Sequence, residues 1–338
     1  MKSTLTFLFF FAVSSNLYAQ YPACFEEYNE SEKPYRLEKF TIDNNGVALA
    51  AQLFLPKEEG IYPAVLLLPG GGNNVTNLQN VPLYLGRRAA ACGLIMLYYD
   101  KRGTGESGGD YTKADFNDLL DDASVAIDYL SNHKEVNRSK IGASGFSQGG
   151  RLIANLAVRN KKVSYIAGVS GPINKVGPNR YYAFKNSLDR TQLSDSMKQV
   201  ILPYWEEHFN ALEAKDKARS IALDKEIAAV EGVGRQLLPP YHADRDRMPI
   251  YNSMGMDLLS ELTQLSIPWL SIYGEDDPVV DAKESKANIE KLMQQAGNAN
   301  YVIQMLPGLN HALFNPETRE RFDFEARIVE WVLNITGG

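Results

Sequence analysis

Long apolar runs are scarce in this chain. Beyond residue 13 none approaches the roughly 18–20 residues that a bilayer-spanning helix needs. Basic charge is also in deficit: 35 Lys and Arg against 41 Asp and Glu give a formal net charge of -6. That argues against nucleic acid or an anionic membrane as a partner, since both require a basic face. Cysteine is nearly absent, with Cys24 and Cys92 alone. Two cysteines cannot build a zinc site by themselves, and no HExxH or clustered His/Asp spacing is present. No metal or cofactor is therefore expected. An exported pair of cysteines can form a disulfide. However, Cys92 falls in a helical stretch, 85–93, where a small buried thiol is the expectation. Repeats and low-complexity tracts are absent as well.

What remains is an ordinary globular composition, 44% hydrophobic and 22% charged, over 338 residues. That length accommodates one large domain carrying an insertion. The N-terminus has the layout of a cleaved signal peptide at 1–19. Lys2 supplies the positive charge, 5–13 the apolar core, and Ala19 the small residue before a cut at Gln20. Tyr21-Pro22-Ala23 before Cys24 lacks the aliphatic residue of a lipoprotein site, so no lipid anchor is expected. The mature chain is expected in the periplasm or outside the cell, without stable membrane insertion.

Residues 36–43 and 47–55 read as two strands joined by the turn Asn44-Asn45-Gly46. Residues 64–68 are a continuous apolar run, the mark of a central strand buried on both faces. Further strands are expected at 94–99, 140–146, 163–169, 268–273 and 301–306. They alternate with helices at 81–92, 114–130, 149–158, 282–295 and 317–333. This alternation predicts an α/β fold: a mostly parallel sheet, helices on both faces, antiparallel strands at one edge. The strand pattern lapses between 173 and 265, where charged helix formers are interleaved with aromatics such as Phe184, Trp205 and Phe209. We read 20–172 and 266–338 as the core and 173–265 as a helical cap inserted where open α/β sheets place their ligands. At helical spacing the cap's aromatics, which include Tyr241 and Tyr251, are expected to form mostly its own small core.

Gly-x-Ser-x-Gly occurs twice, at Gly105-Glu106-Ser107-Gly108-Gly109 and Gly145-Phe146-Ser147-Gln148-Gly149. The motif exposes a nucleophile only on a sharp strand-to-helix turn. Ser147 has a strand running into it and an apolar-periodic helix starting at Gly149. Ser107 sits in a glycine-rich polar loop and reads as a structural serine. A serine hydroxyl needs a histidine to accept its proton and a carboxylate to orient that histidine. In this type of fold the chain order is Ser, then Asp or Glu, then His. Among the four histidines, His133 precedes Ser147, His208 lies in a charged helical stretch and His242 lies inside the cap. His311 follows a strand, in Leu306-Pro307-Gly308-Leu309-Asn310-His311. The acid follows the strand before it, in Gly274-Glu275-Asp276-Asp277-Pro278. Asp277 is the first choice and Asp276 the second. Backbone N–H groups of Gln148 and of Gly71, in Pro69-Gly70-Gly71-Gly72, are expected to hold an oxyanion.

Those stretches, with Tyr99-Asp100-Lys101-Arg102-Gly103-Thr104-Gly105 and Asp277-Pro278-Val279-Val280, resemble α/β-hydrolase-fold serine esterases of the EstD-like bacterial type. Similarity extends more widely to serine aminopeptidase-like and dienelactone-hydrolase-like hydrolases. The resemblance covers most of the mature chain outside the cap. It implies the α/β-hydrolase fold, a Ser147–His311–Asp277 triad, and a small acyl ester as substrate. Its Gly-x-x-Asp pattern favours Asp277 over Asp276, and the 100–107 loop is implied to be structural. Two departures stand out: Pro69 replaces a histidine common in relatives, and Asp281 replaces a proline. The rival expectations are a peptidase or amidase, with Glu206, Glu207 and Glu213 as carboxylates for a substrate amino terminus, and a non-catalytic binding protein. An intact Ser, Asp and His in order argues against the last.

Overall fold

In the computed structural model the described residues are 23–26, 29–72, 80–230 and 249–337. The signal-like segment, Tyr241 and His242 lie outside them. Eight strands form one sheet in the order β1-β2-β4-β3-β5-β6-β7-β8. Strands β1 (Tyr35–Asn44) and β2 (Val47–Pro56) make an antiparallel hairpin, and β2 also pairs antiparallel with β4 (Ile95–Tyr99). The rest is parallel: β3 (Tyr62–Leu68), β5 (Val136–Phe146), β6 (Tyr165–Val169), β7 (Trp269–Gly274) and β8 (Tyr301–Leu306). This is the mostly parallel α/β sheet expected from the alternating pattern, and the α/β-hydrolase fold that the resemblance implies.

The apolar run in β3 explains its central place. Successive side chains of a strand point to opposite faces. Ala64, Leu66 and Leu68 join the core beneath one helical layer, and Val65 and Leu67 join the core beneath the other. The first layer holds α3 (Phe116–Asn132), α4 (Gln148–Arg159) and α9 (Ala282–Ala296). The second holds α2 (Asn80–Ala91) and α10 (Phe324–Thr336). Helix starts are set locally. Asp115 and Asp118 form a reciprocal capping box on α3. Asp281 accepts from the N–H of Glu284 at the start of α9, so the proline-to-aspartate departure serves as a helix cap.

The last helix starts at Phe324, not at 317. Asn315 Oδ1 accepts from the N–H groups of Glu317 and Thr318 and turns the chain, and Asp323 then caps α10 through Ala326. The cysteines also depart from expectation. Cys24, in the short helix α1 (Ala23–Glu26), is disulfide-bonded to Cys92, with the Cα atoms 5.2 Å apart. The thiol expected to be free lies just past the end of α2, where it can reach α1. Sequence distance hid a partner 68 residues away.

Between β6 and β7 lie α5 (Val176–Asp189), α6 (Asp195–Glu213), α7 (Lys217–Ala228), the short α8 (Pro249–Asn252) and a 3-10 turn at Ser260–Gln264. Phe184 packs edge-on against Trp205 at 4.9 Å and tilted against Phe209 at 5.2 Å. These rings pack on one another and join the same core as the α3, α4 and α9 layer, not a separate core of their own. His208 is buried rather than set on a charged face, with Nδ1 3.0 Å from Asp224. Among the described residues no helix is long and apolar enough to cross a membrane.

Candidate active site

Every piece of the site hangs from the carboxyl end of a parallel strand, where side chains from distant sequence converge. Strand β5 ends at Phe146 and α4 begins at Gln148, so Ser147 alone makes the turn. Its φ of 54° and ψ of -114° are costly for a residue with a Cβ. The Ser147 N–H holds the turn by donating to Val169 O at 2.8 Å. Gly149 is required there: a Cβ on it would sit 2.2 Å from Leu68 O.

The loop after β7 carries Asp277, which is fully buried, while Asp276 points to solvent. Asp277 Oδ1 accepts from the N–H groups of Val279 (2.7 Å) and Val280 (2.9 Å). That leaves Oδ2 to meet His311 Nδ1 at 2.7 Å. His311 Nε2 lies 3.0 Å from Ser147 Oγ. Three residues separated by up to 164 positions thus form one hydrogen-bonded line. Gly274 lets the two loops meet, since a Cβ on it would lie 2.2 Å from Leu309 O. The His311 loop is shaped by Asn310, whose Oδ1 accepts from the N–H groups of Ala312 and Phe314. Ser170 Oγ donates to His311 O, and the Phe146 ring packs on the imidazole at 5.1 Å.

Gly71 and Gln148 lie side by side: a Cβ on Gly71 would be 3.7 Å from that of Gln148. Both line the cavity that contains Ser147. Gln148 is the first residue of α4, so its N–H lacks an intrahelical partner and the positive end of the helix dipole faces the serine. The second serine of the repeated motif is elsewhere. Ser107 Oγ donates to Asp100 O and accepts from Ala50 N–H, tying its loop to β2. In the same loop Arg102 grips Asp122 and Asp118 of α3, with contacts of 2.7–2.8 Å.

Sequence reasoning missed three supports. Lys101 is buried and donates to Gly70 O (2.8 Å) and Gly72 O (2.6 Å). Burial pushes its ammonium down to about 8. Tyr111 OH accepts from Gly72 N–H. These two side chains hold the glycine loop that Pro69 cannot hold with an imidazole. On the other side α5 reaches the acid loop: Tyr182 OH donates to Asp277 O at 2.9 Å, and Asn186 and Asn179 donate to Pro278 O and Val279 O. Nothing in the spacing of these residues announces a contact across about a hundred positions.

The proposed amino-terminus carboxylates are not at the serine. Glu206 is exposed, Glu207 pairs with Arg219, and Glu213 accepts from Gly177 N–H beside a neighbouring cavity. Among the described residues, the charged groups lining the Ser147 cavity are Arg151 and Arg180.

With this geometry in hand, the comparisons with known proteins are decisive for the family. The sequence pattern of the serine aminopeptidase S33 hydrolases matches residues 62–318. The chain belongs to that family. As a member of the serine aminopeptidase S33 family it shares 27% identity over 290 residues with esterase EstD of Thermotoga maritima, covering 84% of this chain and 62% of EstD. It is 35% identical over 132 residues to the uncharacterized protein PA2218 of Pseudomonas aeruginosa, covering 38% of this chain and 35% of PA2218. The chain thus spans less than two-thirds of either relative. The fold of the Pyrococcus furiosus esterase Pf2001 superimposes with a TM-score of 0.57 at 17% identity, over 92% of this chain and 95% of that one.

Proposed function

We propose that this chain hydrolyses small carboxylic esters through an acyl-enzyme on Ser147. The observation that carries the reading is the unbroken line Asp277–His311–Ser147 at an accessible cavity. In this scheme His311 Nε2 takes the hydroxyl proton as Ser147 Oγ attacks the ester carbonyl. The imidazolium so formed is stabilised by the Asp277 carboxylate. The carbonyl oxygen, now negative, is held by the N–H groups of Gln148 and Gly71. The tetrahedral intermediate collapses as His311 returns the proton to the leaving alcohol. Water then repeats the sequence on the acyl-serine and frees the acid. The resemblance to an esterase over 84% of the chain supports an ester over other acyl substrates.

The peptidase alternative, suggested by the family's description, has weaker support. A substrate ammonium needs a carboxylate, and among the described residues the cavity is lined instead by two guanidiniums. Turnover of 4-nitrophenyl esters beside aminoacyl anilides, by wild type and Ser147→Ala, tests the proposal. Ester turnover should fall by several orders of magnitude in the variant. Anilide turnover exceeding ester turnover would move the chain to the peptidases.

Export belongs to the same proposal. The Cys24–Cys92 bond supports it, because disulfides persist in oxidising compartments. N-terminal sequencing of the exported protein is expected to begin at Gln20. A mature chain still starting at Met1 would refute it.

A further inference from the structure

Arg151 stands four residues after the serine on α4 and is 3% exposed. Helical spacing returns residue i+4 to the face of residue i, so Arg151 and Ser147 line one cavity, and Arg151 also lines the neighbouring cavity with Asn174 and Glu213. Both of its guanidinium hydrogen bonds end on an uncharged partner, Asn174: the carbonyl oxygen and Oδ1. Burial pulls its proton affinity down to about 10, against the favourable pull of Glu213, Tyr273 and Glu284, so it stays cationic at neutral pH. Two carboxylates lie near enough to favour the cation, but neither hydrogen-bonds to it. Glu213 accepts from Gly177 N–H, and Glu284 accepts from Asn174 Nδ2.

A second guanidinium, Arg180 of α5, lines the same cavity and lies over the rings of Phe184 and Tyr251. Asn179 also lines the cavity, together with apolar Ile250 and Val280. Arg151, a buried cation with no direct carboxylate partner among the described residues, is held at a cost unless an anion arrives to offset it. Arginine is the side chain suited to a planar carboxylate, which it meets with parallel N–H donors. At about 180 Å³ the cavity matches a short molecule.

We infer that the preferred substrate is a short ester that also carries a free carboxylate, received by Arg151 and Arg180 while Ser147 attacks the ester carbonyl. This rests on the esterase reading above and narrows its substrate class. The carboxylate stays intact, and water supplies the atoms of hydrolysis.

Two matched pairs of esters test it. In the first, 4-nitrophenyl hydrogen glutarate is set against 4-nitrophenyl methyl glutarate, which hides the acyl-side charge. In the second, the butyrate ester of 4-hydroxybenzoate is set against that of methyl 4-hydroxybenzoate, which hides the charge on the leaving side. The reading is the ratio of kcat/KM within a pair. Wild type should favour the charged member of at least one pair by about tenfold or more. Arg180→Gln and Arg151→Gln should each pull that ratio towards one. A variant that is merely damaged in folding lowers both members alike and leaves the ratio standing, and Arg180 is the less buried of the two. Equal turnover of charged and neutral members in both pairs would overturn the inference while leaving the esterase intact. A ratio unmoved in both variants would overturn the assignment to these arginines. Turnover of none of the four esters would instead overturn the esterase reading, and this inference with it.

Discussion

Asp277→Asn isolates what the buried carboxylate does. The two oxygens of Asp277 have different work: Oδ1 accepts from two backbone N–H groups, and Oδ2 meets His311 Nδ1. An asparagine keeps one oxygen and turns the other into an NH2 donor. If its NH2 faced Val279 and Val280, two buried N–H groups would lose their acceptor, at about 1–3 kcal/mol each. If it faces His311, both are kept. The amide oxygen therefore stays on the backbone and the NH2 points at Nδ1. That nitrogen must then accept, and the imidazole proton moves to Nε2, the atom 3.0 Å from Ser147 Oγ. The base is lost although every atom keeps its place. A wrong tautomer of this kind costs on the order of 10⁴ in kcat, or about 5 kcal/mol of barrier. The assay is kcat for a neutral 4-nitrophenyl ester, with a thermal melt run beside it. Asp277→Asn should melt near wild type. Asp277→Ala, which strands both N–H groups, should melt lower. A kcat for Asp277→Asn within tenfold of wild type, on a fully folded sample, would refute the reasoning.

Two further outcomes concern stability. Burial pushes the Glu325 carboxyl up to about 7 despite its ion pair with Arg321, against 4.5 for an ordinary glutamate. A carboxyl raised by folding contributes stability that is complete below pH 4.5 and is lost as pH rises through 7. Wild type should therefore lose about 1–3 kcal/mol across that window that Glu325→Gln does not lose; parallel stability curves from pH 4 to 8 would contradict it. The Cys24–Cys92 bond closes a loop of 68 residues, for which chain entropy predicts about 4 kcal/mol. Cys92→Ser should lower the melting temperature, and adding a reductant should lower that of wild type but not of the variant. An unchanged wild-type melt under complete reduction would show that the bond contributes nothing.

Local chemistry was legible in the chain because it depends on neighbours. The apolar run at 64–68 could satisfy two faces only at the centre of a sheet, and β3 lies there. The choice between Ser147 and Ser107 rested on what flanks each serine, and their hydrogen bonds now differ accordingly. Where an element's edge depended on a side-chain turn, as at Asn315 before α10, periodicity overran it.

The sequence by itself determined the alternating order of strands and helices, the strained serine turn between β5 and α4, and the loops that carry Asp277 and His311. Each of these is a property of a few consecutive residues. Tertiary structure alone decided that Cys24 meets Cys92, that Lys101 holds the glycine loop, that α5 braces the acid loop, and that Arg151 and Arg180 share the serine's cavity. Those contacts join residues tens to about a hundred positions apart. They follow from the packing of separate elements against one sheet, which no local pattern of charge or hydropathy encodes.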